Sequence, residues 1–227
     1  MNRDSNIYTI LYASVMVVLV AVVLAFTSQS LKSFQKENEE NDKRRQILRS
    51  IKVQVPANEA KAKFNELIED AFLVDEEGIK TEGNAFALDV VEAFEQHTYP
   101  VFVARIDGQI KYIMALSGAG LWGPLWGYVS VNDDRNTIYG ADFSHAGETP
   151  GLGAEIVLPT FGGQFAGKHI FVNNEFKSVA IVKPGKSVGG QDYVDGISGG
   201  TITSQGVNKM IFDSLHGYVG FLTSQNQ

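Results

Sequence analysis

Near the C-terminus, Asp195-Gly-Ile-Ser198-Gly199-Gly200-Thr201-Ile-Thr203-Ser204 puts hydroxyl groups on a glycine-rich turn directly ahead of a helical pattern. Thr201 there can hold a phosphoryl group. The glycines give close backbone access, and the N–H groups and positive dipole end of a starting helix favour an anion. An apolar stripe of Val207, Met210, Ile211, Leu215 and Tyr218 predicts that helix over about residues 204–219, with Thr203 or Ser204 as its cap. Taken alone, Ser-Gly-Gly-Thr is a weak signal that is more often a surface turn, and Asp195 can dock the segment or equally be an Asx-turn residue. A hydroxyl is a weak nucleophile near neutral pH, so esterifying Thr201 requires an external base or metal.

A second group is His145-Ala-Gly147-Glu148-Thr149-Pro150-Gly151-Leu152-Gly153. Proline fixes one backbone angle and the glycines admit close approach, so this loop can wall a flat ring. The alternative is a plain connection between strands with Glu148 in solvent. His145 reads as a hydrogen-bonding residue, because neither a cysteine nor a spaced second histidine accompanies it. Leu121-Trp122-Gly123-Pro124-Leu125-Trp126 holds both tryptophans, which suit core packing or a ring face. Lys168, Lys183 and Lys186 could neutralise a phosphate or stand solvated.

Composition narrows the chemistry. The 227 residues contain no cysteine and four histidines, which rules out thiolate-bound iron–sulfur clusters and leaves no expected metal site or complete catalytic set. Redox chemistry would need a bound organic cofactor. With 19 basic against 26 acidic residues, net −7, there is no basic stripe for nucleic acid.

Residues 5–31 carry no charged side chain, and residues 7–26 are almost wholly apolar, enough at about 1.5 Å per residue to cross a hydrocarbon core of about 30 Å. The stretch is longer than a signal-peptide core, so an uncleaved anchor is expected. Lys32, Lys36, Lys43, Arg44 and Arg45 follow it while Arg3 beside Asp4 precedes it, a balance that by itself points the following domain to the cytoplasm. The span lacks the ionisable groups of an ion path.

The expected divisions are an anchor at 1–27, a charged helical stalk at 28–50, a helical subdomain at 51–98 and a ligand-binding domain at 99–227. Helices are predicted at about 57–72 and 84–96 from apolar recurrence at three and four. A β-hairpin follows at 99–106 and 109–116 around Asp107-Gly108. Further strands are predicted at 128–131, 137–144, 170–172 and 176–182. Helices followed by strands give an α+β fold with a mostly antiparallel sheet and flanking helices.

Asp195-x-x-Ser198-Gly199-Gly200-Thr201, with Thr203-Ser204 behind it, resembles the flavinylation motif of proteins carrying covalent FMN. With the anchor, Asp42-Lys43-Arg44-Arg45-Gln46-Ile47-Leu48, Gly120-Leu121-Trp122-Gly123 and the Gly147 to Gly153 motif, the likeness covers nearly the whole chain. It is to the NqrC family, the covalent-FMN components of the Na⁺-translocating NADH:quinone oxidoreductases. The resemblance implies an FMN phosphoester on Thr201, surrounded by Ser198, Gly199, Gly200, Thr203, Asp195, Glu148, Thr149, Gly151 and Leu152. It implies a flavin transferase that takes FMN from FAD with a divalent metal. It further implies a relay of electrons from NADH toward quinone within a sodium-exporting complex of membrane subunits. The setting would be the bacterial inner membrane and its lipid, with the flavin domain periplasmic, against the charge balance. One departure is Gly200, where the family carries alanine. Two rival readings are the RnfG component of an Rnf-type ferredoxin:NAD oxidoreductase and a membrane-tethered binding module without redox activity.

Overall fold

The computed structural model describes residues 6–224 and divides into two units, one ending at Asp42 and the other beginning at Lys43. Arg3 and Asp4 lie outside the described residues. Helix α1, Asn6–Ser50, contains neither glycine nor proline and runs unbroken past residue 27, so anchor and stalk are one helix. Its β-branched residues are poor helix formers in water, but a lipid setting demands that every backbone group be paired within the helix. Side chains along residues 7–26 lie open, Val17 at 68% and Phe26 at 75%, on a helix long and apolar enough to cross a membrane. Just past that stretch, the Thr27 and Ser30 hydroxyls donate to Val23 O and Phe26 O, each at 2.8 Å.

The second unit begins with the end of α1, where Ile47 and Leu48 are fully buried. The stalk therefore ends as part of a core. Helix α2, Ala60–Leu67, gives way to strand β1, Ile68–Val74, where a helix to residue 72 was expected. Leu67, Ile68 and Ala71 fit a helical period, but pairing along β3, Tyr99–Ile106, wins by burying Leu73 and Val74. Short β2, Lys80–Thr81, adds an edge to β1, and α3 is only Val90–Glu95, capped by Asp89. Residues 51–98 are thus not a helical subdomain but supply strands to the main sheet.

The predicted hairpin is present as β3 and β4, Gln109–Ala119, and both turn residues have positive φ, Asp107 at 50° and Gly108 at 79°. Strands β5, Pro124–Asn132, and β6, Ile138–His145, complete an antiparallel sheet in the order β2-β1-β3-β4-β5-β6. Beyond it come α4, Pro159–Gly162, and the pair β7, Phe171–Val172, and β8, Glu175–Phe176. Strands β9, Ala180–Val182, and β10, Tyr193–Asp195, pair in parallel. The single strand expected over 176–182 breaks at Ser178, whose φ of 61° turns the chain.

Both faces of the sheet are covered, as alternation along each strand requires. Val101, Met114 and Val129 join the core with helix α5, Thr201–Gly217, whereas Phe102, Ile113 and Tyr128 meet Ile47, Leu48 and Ile51 on the other face. Gly206 lets α5 settle on the end of β4: a Cβ there would stand 2.5 Å from Ala119 O. Helix α6, Val219–Thr223, follows α5. Between them Tyr218 is fully buried; its hydroxyl donates to Pro100 O at 2.9 Å and accepts from Ala115 N at 3.1 Å. One phenol thereby ties the helix end to two strands.

Tyr218→Phe is expected to destabilise the second unit by about 1–3 kcal/mol, because Ala115 N and Pro100 O then lie buried without that partner. Urea denaturation of the full chain in detergent, followed by tryptophan fluorescence, measures it.

Candidate functional site

The chain reaches Thr201 from β10, whose last residue is gripped twice: Asp195 N donates to Gln164 Oε1 at 2.9 Å and Gln164 Nε2 donates to Asp195 O at 3.2 Å. The turn then closes with Gly200 N donating to Ile197 O at 3.0 Å. Helix α5 starts at Thr201, nearly a turn before the predicted 204. Its first backbone bond runs from Ser204 N to Gly200 O at 2.9 Å. The N–H groups of Thr201, Ile202 and Thr203 therefore lie where an α-helix supplies no acceptor.

Gly200 at the N-cap has no side chain to cap this end. Ser204 Oγ accepts from Ile197 N at 2.9 Å, and Thr203 Oγ1 donates to Glu148 Oε2 at 2.5 Å. Neither hydroxyl caps the helix as expected, because tertiary partners claim both.

Thr201 is exposed and lines two clefts. One, of about 220 Å³, is lined by Leu121, Trp122, Glu148, Thr149, Leu152, Gly153 and the Gly199 to Thr203 turn. The other, of about 240 Å³, is lined by residues that include Ile181, Lys183, Pro184, Ser198 and Gln205. Of the predicted residues, Thr201, Thr203, Glu148, Thr149, Leu152, Gly199 and Gly200 meet at the first cleft and Ser198 at the second. Asp195 and Gly151 line neither. Asp195 Oδ1 accepts from Gly185 N at 3.4 Å, ten residues upstream, a contact between segments rather than an Asx turn.

The second motif lines the same first cleft. Thr149 O accepts from Leu152 N at 3.1 Å across Pro150-Gly151, and Gly151 has φ 74°, the marks of a type II turn. Gly151 acts through that backbone angle. Leu152 is left 43% exposed at the cleft, beside Leu121 at 48%, Trp122 at 66% and Ile202 at 55%. Core packing was the first reading for both tryptophans. Trp122 instead stands open, and Trp126 is half-buried with Nε1 donating to Gln46 Oε1 at 2.9 Å. Ile202 also lines the cleft and was not singled out in the sequence, whereas Leu121 and Gly153 lie in the two segments that were.

Glu148 is not solvated. It is 5% exposed, accepts from Trp122 N at 2.9 Å and from Thr203, and its own N–H donates to His145 Nδ1 at 3.1 Å. His145 is thus a hydrogen-bonding residue with Nδ1 as the acceptor. Burial pushes the Glu148 carboxyl up, yet the hydrogen bonds from Thr203, Trp122 N–H and Leu121 N–H outweigh it and hold it below the usual glutamate value. Of the three lysines weighed, Lys183 lines the second cleft and Lys168 lies over the Tyr193 ring at 5.9 Å.

This arrangement fits a phosphorylated aromatic group. Apolar side chains stand open around the exposed Thr201 hydroxyl, and the first-turn N–H groups of a 17-residue helix, which have no acceptor within that helix, adjoin it. Residues 120–216 match the family model described as FMN-binding domain. The NqrC protein of the Na(+)-translocating NADH-quinone reductase of Vibrio vulnificus is 30% identical over 88% of this chain and 87% of its own length. That of Yersinia pestis is 30% identical over 91% of this chain and 87% of its own.

The chain belongs to the NqrC family of Na⁺-translocating NADH-quinone reductases. Among solved structures, the NqrC of Parabacteroides distasonis is 72% identical with a TM-score of 0.85, covering 86% of this chain and 98% of that one. Shewanella oneidensis NqrC is 26% identical with a TM-score of 0.68, over 81% and 96%. The α+β fold is that of the family, with an apolar helix ahead of an antiparallel sheet. The Gly200 departure also has a structural reading: a Cβ there would lie 3.1 Å from Ile197 Cβ and 3.2 Å from Gly153 Cα, tight contacts that alanine would have to ease apart.

Because the Glu148 carboxyl is lowered in the folded chain, the unfolded chain binds more protons below its own value of about 4.3. Its stabilising contribution is complete above about pH 4.3 and is lost as pH falls through the lowered folded value. The stability difference between wild type and Glu148→Gln is expected to shrink across that fall, read from urea midpoints at stepped pH.

Proposed function

We propose that this chain is the flavin-carrying electron-relay subunit of a Na⁺-translocating NADH:quinone reductase complex, with FMN esterified through its phosphate to Thr201. The observation that carries the reading is Thr201 itself: an exposed hydroxyl on the first residue of α5, at the mouth of a cleft with open apolar side chains. Family membership and the FMN-binding domain model support it. Bound there, FMN supplies the electron carrying that the chain's own side chains lack.

The chain's residues hold and shield the group. The first-turn N–H groups and helix dipole face phosphate charge, Lys183 and Ser198 border the second cleft, and Trp122, Leu121, Leu152 and Ile202 offer apolar surface. Ester formation is written as attack of Thr201 Oγ1 on the FMN phosphorus of FAD. An O–P bond forms, the pyrophosphate bond breaks, AMP leaves, and the hydroxyl proton passes to a base on a divalent-metal flavin transferase. The other subunits of the complex would deliver and receive the electrons and move sodium.

The apolar helix would anchor the chain once in the bacterial inner membrane, with the flavin domain periplasmic. The positive residues after the span oppose that orientation, but large domains translocate largely regardless of nearby charge. The names carried by the relatives favour this reading over an RnfG protein.

Intact mass of the chain from cells that make the transferase is expected to exceed the polypeptide mass by one FMN ester, with the modified peptide containing Thr201. Thr201→Ala should carry none; unmodified wild-type chain would leave the tethered, non-redox module. Protease added to intact spheroplasts should cleave the second unit, and protection would reverse the orientation.

A further inference from the structure

The Glu148 carboxylate joins segments far apart in sequence. It takes the Thr203 hydroxyl from the first turn of α5 and the Trp122 N–H from the turn after β4. Glycines flank both its oxygens. A Cβ at Gly120 would collide with Oε1, and one at Gly153 would collide with Thr203 Oγ1 and stand 2.6 Å from Oε2. Neighbouring backbone has thus come in to side-chain range. No salt bridge involves Glu148 among the described residues; its donors are neutral. A buried carboxylate matched by neutral donors is costly to break, since any donor or oxygen left unmatched stays desolvated.

The Thr203 and Trp122 donors come from two segments that line one cleft. Thr203 is two residues beyond Thr201, and Trp122, 66% exposed, lines the same cleft. We propose that Glu148 is a positioning residue: it latches the apolar wall at Trp122 to the helix start that bears Thr201, and so sets where an attached ring lies against that wall. This rests on reading Thr201 as the point of attachment. It assigns Glu148 a role through Thr203 and Trp122, the groups its two oxygens engage.

The test uses the full chain made with its flavin transferase, as wild type, Glu148→Gln, Glu148→Ala, Thr203→Val and the Glu148→Ala/Thr203→Val double variant. Glutamine can keep both ends of the latch, its carbonyl accepting from Trp122 N and its amide donating to the Thr203 hydroxyl. Hydrogen exchange at the Trp122 amide is read in a Thr201→Ala background, where no ester can form. Iodide quenching and midpoint potential are read on the flavinylated chains.

Glu148→Ala is expected to speed Trp122 exchange by about five- to tenfold, as loss of one net hydrogen bond would. Thr203→Val should speed it too, through the shared carboxylate, and the double variant should add little to Glu148→Ala. On flavinylated chains, Glu148→Ala should raise iodide quenching and shift the potential, whereas Glu148→Gln should stay near wild type. Glu148→Ala with wild-type quenching and potential would overturn the positioning role. Glutamine as damaging as alanine would overturn the latch in favour of the charge itself. Should Glu148→Ala fail to fold, unchanged Trp122 exchange in Thr203→Val would overturn the proposal alone. A flavin retained in Thr201→Ala would instead overturn the attachment point, leaving the exchange coupling to be judged separately.

Discussion

A carboxylate withdrawn from water with no salt bridge among the described residues has to collect hydrogen bonds from whatever the chain can bring to it. Around Glu148 the chain brings the turn after β4 and the first turn of α5, and spends two glycines to let the backbone close in. That demand accounts for much of the local sequence. Gly120 and Gly153 hold their places because a methyl would strike the carboxylate, and Thr203 holds its place because it donates to it. The two motifs flanking the cleft, more than 40 residues apart in sequence by their numbering, are in this sense one structure.

The scaffold beneath obeys a coarser rule. A sheet covered on both faces must alternate two cores along each strand, and β3 does so with Val101 on one side and Phe102 on the other. Helix α5 fills one face and the end of α1 the other. The site sits where α5 begins, at the rim of the core rather than within it, so its residues are fixed by packing while Thr201 stays open.

Features set by local chemistry were legible in the sequence. Asp107-Gly108 demands two left-handed residues, and the hairpin is there; the stripe from Val207 to Tyr218 demands a buried helix face, and α5 has one. Features set by distant partners were not. Residues 68–72 read as helix because Ile68 and Ala71 suit either period, and only pairing with β3 decides for strand. Strand β10 is three residues long and owes its existence to β9. The start of α5 was read late because Thr203 and Ser204 look like caps, whereas one hydroxyl serves Glu148 and the other Ile197. Glu148 was singled out, but whether it faces solvent or the interior is a tertiary fact.

That division of hydroxyls has a chemical result. Four lie within seven positions, at Ser198, Thr201, Thr203 and Ser204, yet the folded domain has already committed the last two to internal partners. Ser198 is open too but stands ahead of the helix, outside its first turn. An acyl or phosphoryl donor meeting the finished fold would therefore find its choice of oxygen narrowed before any catalyst acts, so that regioselectivity is written partly into the acceptor.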